Sequence, residues 1–175
     1  MMNKKRFIQI LPAAGVAACS FALWVGVGCA AWFERHVADA AVVQERIAGL
    51  DVPDDFHPAY GLDLGSSRIA GFDGADQRSH LVLAEAPLSI GATAPMPWVT
   101  RPNTDDLNVI ALRSTVARGR PATIAIALGV SNDGLAYRVV SLAFEGRNGP
   151  ALLVLNTPES EWDEAAVDAL IGSLR

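Results

Sequence analysis

The sequence predicts an α+β fold: an N-terminal transmembrane helix and stalk, then an antiparallel sheet with a C-terminal amphipathic helix packed on one face. Three patterns carry the prediction. Residues 7–33 contain no Asp, Glu, Lys, Arg or His. Apolar residues alternate over 123–130 and again over 136–145, with Asn132-Asp133-Gly134 between them. Trp162, Ala166, Val167, Leu170, Ile171 and Leu174 then recur at the spacing of a helix face.

The N-terminal run comes first. About 20 uncharged residues suffice to cross a bilayer's hydrocarbon core, and residues 7–33 exceed that length. Lys4, Lys5 and Arg6 precede the run, and no positive excess follows it at Glu34, Arg35 and Asp39. Basic residues stay on the cytoplasmic side. The expected order is therefore a cytoplasmic tail (1–6), a single-pass anchor in the cytoplasmic (inner) membrane (7–33), a helical stalk (34–50) and an exported domain (51–175). Two other leaders compete. A cleavable signal has an apolar stretch of only about 7–15 residues, so the small residues Ala38-Asp39-Ala40 come too late. Val16-Ala17-Ala18-Cys19 looks like a lipidation site, but the residues after Cys19 stay apolar where a polar tether belongs.

Both cysteines, Cys19 and Cys29, fall inside the run, so the exported part has neither disulfide nor thiol catalysis. Nineteen acidic residues follow Phe33 against eleven arginines. That excess repels phosphate backbones and argues against nucleic-acid binding. The densest basic cluster, Arg113, Arg118 and Arg120, reads as a solvated loop.

The stalk at 34–50 continues a helical spacing that starts at Phe33 and runs through Val37, Ala40, Val43, Ile47 and Leu50, so it could pack on its own domain or pair with a second copy. Pro53 and Pro58 in 51–64 argue for an irregular connector. Segments 67–72 and 79–86 read as a hairpin around Asp73-Gly74-Ala75-Asp76. Four prolines in 87–102 predict an ordered loop, with Trp98 packed down onto the domain. Thr104-Asp105-Asp106 suggests the cap of a short helix through Arg113, because Leu107, Ile110 and Ala111 share a face; a strand is the alternative. After the strand at 136–145, Asn148-Gly149 turns the chain into a third strand at 151–156. Thr157-Pro158 opens the last helix, whose Glu161, Asp163, Glu164 and Asp168 lie off its apolar stripe.

Chemistry-bearing motifs are sparse. His36, His57 and His80 lack the spacing of a compact metal site. Ser131 after Gly129 lacks the second glycine of a nucleophile elbow, and Ser66 and Ser67 fare no better. No catalytic, cofactor-binding or metal residues are assigned, and no cofactor is expected. The expectation is an envelope binding or scaffolding module without catalytic activity, its partners being the membrane through 7–33 and a protein partner or a second copy. One alternative is a membrane-tethered metal-dependent hydrolase using Asp54, Asp55 and His57. Another is an oligomeric subunit assembled through the anchor, where Ala14, Ala18, Ala22, Gly26 and Ala30 recur every four residues. Small residues are common throughout the run, so such a stripe also arises from composition alone.

The stretch Val52-Pro53-Asp54-Asp55-Phe56-His57-Pro58-Ala59-Tyr60-Gly61, taken together with Trp162 to Leu174, resembles short membrane-anchored bacterial proteins of unknown function. Ile171-Gly172-Ser173-Leu174 at the close of the last helix resembles the end of PsbP-like α/β domains. The resemblance implies a sheet with a packed helix and a role in binding or assembly. It carries over no catalytic residue.

Overall fold

A computed structural model describes residues 37–86, 107–131 and 134–175. The expected tail and anchor, both cysteines, His36, Asp105, Asp106 and the loop at 87–102 with Trp98 lie outside the described residues. Among the described residues, no helix is long and apolar enough to cross a membrane.

The described residues form one antiparallel sheet of seven full strands, edged by a two-residue bridge. In chain order these are β1 (Val37–Ala38), β2 (Phe56–Asp63), β3 (Arg68–Gly74), β4 (His80–Glu85), β5 (Asn108–Ala117), β6 (Arg120–Val130), β7 (Ala136–Glu145) and β8 (Pro150–Pro158). Helix α1 (Ala40–Ile47) precedes β2, and α2 (Glu164–Gly172) closes the chain after a 3-10 turn at Glu159–Glu161. The spatial order is β1-β2-β3-β4-β8-β7-β6-β5. Two meanders, β2-β3-β4 and β5-β6-β7-β8, thus join through the β4–β8 pair, which leaves β5 at one edge.

Alternation along each strand decides the two faces. Ile124, Leu142, Leu153, Leu83 and Ala70 lie opposite one another across β6, β7, β8, β4 and β3. All five are buried in the main core. Both helices cover this face: Val43 and Ile47 from α1 join Val167, Leu170 and Ile171 from α2, with Leu174 just beyond it, in the same cluster. The opposite face holds a smaller cluster of Val82, Ala127, Val139 and Val154.

Each helix starts on an aspartate. The Asp39 carboxylate accepts from the Ala41 amide at 2.8 Å, and Asp163 accepts from Ala165 and Ala166 at 2.8 and 3.2 Å. Such caps satisfy amides that no helical carbonyl reaches. The helix exits are laced together, because Gly49 and Arg175 exchange backbone hydrogen bonds at 2.9 and 3.0 Å. The Arg138 guanidinium lies 5.0 Å from the centre of the Trp162 ring, which it covers on the way into α2.

The antiparallel sheet and C-terminal helix agree with the sequence reading, and four details differ. Within the described part of 34–50 the helix spans Ala40–Ile47, follows a bridge to β2, and packs on its own sheet, the first of the two expected arrangements. The connector expected at 51–64 contains β2. Pro58 is tolerated there because it pairs with Phe72 beside a bulge, so its missing N–H points away from β3 and costs no ladder bond. The helix suggested through Arg113 is replaced by β5, whose Val109, Ile110, Thr115 and Val116 are β-branched and whose partner β6 supplies the ladder. At the C-terminus, Pro158 ends β8 and opens only the 3-10 turn Glu159–Glu161; α2 begins six residues after it, behind its cap Asp163.

Candidate functional site: an exposed edge strand

β5 reads Asn-Val-Ile-Ala-Leu-Arg-Ser-Thr-Val-Ala. Its β-branched residues favour a strand, and the Arg118-Gly119 turn returns the chain tightly into β6. Both turn residues have positive φ, 50° and 75°, which matches the twist of a two-residue hairpin. Among the described residues, no strand pairs with the other side of β5.

The alternation along this edge is unusual. Ala111, Arg113 and Thr115 point toward the helix-covered face and are half-buried. Arg113 is held there by ion pairs to Glu164 and Asp168 of α2. Leu112 and Val116 point to the other face and are 69% and 61% exposed, with Val109 and Ile110 at 57% and 45%. Four large apolar side chains on one edge strand mark a surface that gains by being covered.

The backbone points the same way. Antiparallel ladders alternate bonded and non-bonded residue pairs. The Ser131 amide donates to the Leu135 carbonyl at 2.9 Å. Counting back along β6, Gly129, Ala127 and Ala125 bond toward β7, so Ile126 and Ile124 bond toward β5. Their partners Ala111 and Arg113 therefore face inward, while the N–H and C=O groups of Leu112, Ser114 and Val116 face outward.

The far edge is built differently. β2 carries Pro58, a bulge between Pro58 and Tyr60, and the β1 bridge at Gly61 and Leu62. These are the devices that stop edge strands from recruiting other chains. β5 has a bulge between Val109 and Ala111, but from Ala111 to Ala117 it runs regularly without Pro or Lys.

The sequence-predicted site residues do not assemble. Asp54 and Asp55 lie exposed in the turn before β2, and His57 is exposed on β2. No group of three or more His, Cys, Asp or Glu side chains able to hold a metal occurs among the described residues. The Asp54/Asp55/His57 set therefore gives the hydrolase alternative no geometric support. Ser131 Oγ donates to the Leu135 carbonyl at 3.1 Å inside its hairpin, a turn role. Arg118 belongs to the β5–β6 turn, where it donates to the Glu145 carbonyl at 2.7 Å.

Two polar groupings escaped the sequence reading. Asp73 lies between His57 and His80 across β2, β3 and β4, with its carboxylate 2.7 Å from His80 Nδ1. Residues on three strands form that row, so no spacing along the chain betrays it. The second grouping ties α1 to the sheet. Asp63 meets Arg46 at 2.6 Å and Arg68 at 3.4 Å, and Arg68 meets the buried Glu85 at 2.9 Å. Glu85 also accepts from the backbone and side-chain nitrogens of Asn148, at 2.8 and 3.2 Å.

The Gly65 amide, joined by Arg46 and Arg68, holds the Asp63 carboxyl below the usual aspartate range, against the opposing effect of burial. A folded-state value below the unfolded one means that Asp63 stabilises the domain above the ordinary aspartate pKa. That contribution is lost as pH falls through the lowered folded value. Urea midpoints measured from about pH 6 to about pH 2 should fall more steeply for the natural chain than for Asp63→Asn. Equal slopes would show that Asp63 is not coupled to folding.

Compared with protein-family models and with curated proteins, the chain matches none. Among the described residues, the strongest geometric feature is the exposed, apolar edge strand β5.

Proposed function

We propose that this chain is a membrane-anchored binding module of the envelope. Its α+β domain stands on the non-cytoplasmic side and takes up a partner by strand addition at β5. Strand addition supplies affinity through main-chain hydrogen bonds and selectivity through alternate side chains. The observation that carries the reading is the coincidence on β5 of outward amides and exposed apolar side chains at Leu112 and Val116. The uncharged run at 7–33 behind Lys4, Lys5 and Arg6 supports the anchor and its orientation.

The test uses the full chain, solubilised from membranes with its bound proteins. Replacing Leu112 and Val116 together with lysine should weaken partner retention by about tenfold to a hundredfold, from lost apolar burial and the added charges. His57→Ala should leave retention unchanged. Equal retention by the two variants would refute β5 as the binding edge. Digestion of the domain by protease only from the cytoplasmic side would refute the orientation.

A further inference from the structure

Resting on the reading of β5 as a binding edge, we propose that its partner is β5 of a second copy of this chain. The two strands run antiparallel about a twofold axis through Ser114, and the two sheets become one.

The register follows from which groups face outward. Bonded pairs across the seam must join residues whose N–H and C=O point away from β6, namely Leu112, Ser114 and Val116. A twofold through Ser114 sets Ser114 against its own copy and Leu112 against Val116, twice. The exposed apolar side chains then meet each other, and the two hydroxyls lie within reach of a hydrogen bond. On the helix-covered face Arg113 falls opposite Thr115, so the two guanidinium groups do not confront each other.

Neighbouring registers are worse. A twofold through Arg113 places the two arginines directly opposite, which is destabilising. A twofold through Leu112 drags the bulge at Val109/Ala111 into the paired stretch. A twofold through Thr115 sets Leu112 against Arg118. The Ser114 register keeps 111–117 in regular pairing and leaves both bulges outside.

Sequence and charge favour a copy of this strand over an acidic or basic peptide. β5 holds one charged side chain, Arg113, and α2 already neutralises it through Glu164 and Asp168. Pairing between like edges also closes on itself at two copies, and the far edge, blunted by Pro58 and the β1 bridge, does not extend it. A seam of one strand pair buries less than the roughly 800 Å² per partner of a stable free interface. Self-pairing is therefore expected where copies are held close, as two chains anchored in one membrane are.

The experiment uses the full chain in membranes, with Cys19 and Cys29 replaced by alanine. Cysteines opposed in a bonded antiparallel pair sit about 5.5 Å apart at Cα, inside the range a disulfide spans. Ser114→Cys should form a disulfide dimer on mild oxidation. Leu112→Cys alone and Val116→Cys alone should form at least tenfold less, because each lies about 13 Å from its own copy. Mixing those two variants should restore the crosslink. All three positions are on the exposed side of the edge, and unchanged thermal unfolding of each variant verifies its folding. No crosslink at Ser114, or an equal one at Leu112 alone, overturns the proposal. If Ser114→Cys fails while the Leu112/Val116 lysine variant still loses a different protein, self-pairing falls and strand addition stands. If both fail, the binding-edge reading falls with it.

Discussion

Arg68→Met is expected to destabilise the domain by about 3–5 kcal/mol, because it strips a buried carboxylate of its cation. Glu85 is 2% exposed at the end of β4, and Arg68 lies directly across from it on β3. Methionine keeps much of the stem's volume, so the loss isolates charge. Asn148 would still donate twice to Glu85, but two neutral donors do not replace a guanidinium at 2.9 Å. Arg68 also reaches Asp63, which holds Arg46 of α1, so the damage should spread toward that helix. Thermal unfolding should shift down by on the order of 10 °C. The double variant Arg68→Met with Glu85→Leu should recover much of the loss, since a buried ion pair replaced by apolar groups is often near neutral. A double variant as unstable as the sum of its singles would show that packing, not the orphaned charge, sets the cost.

Leu153→Ala is expected to cost about 2–5 kcal/mol. Leu153 is fully buried on β8, the strand where the two meanders meet, between Leu83 and Leu142 and in the same core cluster as residues of both helices. Truncation there leaves a cavity whose walls belong to three strands and cannot collapse cheaply. Leu112→Ala, the same chemical change on exposed β5, should alter stability by less than about 0.5 kcal/mol. Urea unfolding of the two variants checks both values. A comparable loss at Leu112 would mean that its side chain is covered in the native molecule.

The C-terminal part was legible in sequence because its determinants are local. Period-two alternation marked β6 and β7, Asn148-Gly149 marked the turn into β8, and the stripe at Val167, Leu170, Ile171 and Leu174 marked α2. Local signals misled where tertiary context outweighed them. Pro58 argued against a strand, yet β2 forms because that proline faces the side of β2 that β3 does not use. Leu107, Ile110 and Ala111 share a helical face, but nine residues of ladder with β6 win, and the bulge between Val109 and Ala111 leaves Ile110 unpaired. The candidate site was invisible for a related reason. Nothing in the order of residues along β5 says that the strand will be an edge.

The sequence alone determined an acidic, cysteine-free α+β domain after Phe33, most of its strands, its terminal helix and its lack of spaced catalytic motifs, because periodicity, turn chemistry and charge are read over a few neighbouring residues. Tertiary structure alone decided that the β2-β3-β4 and β5-β6-β7-β8 meanders join at β4 and β8, that α1 and α2 share one face, and that Leu112 and Val116 are left uncovered. Strand order is a competition among pairings of residues far apart in the chain. Its outcome depends on which apolar faces can be buried together, and no short stretch of sequence contains that information.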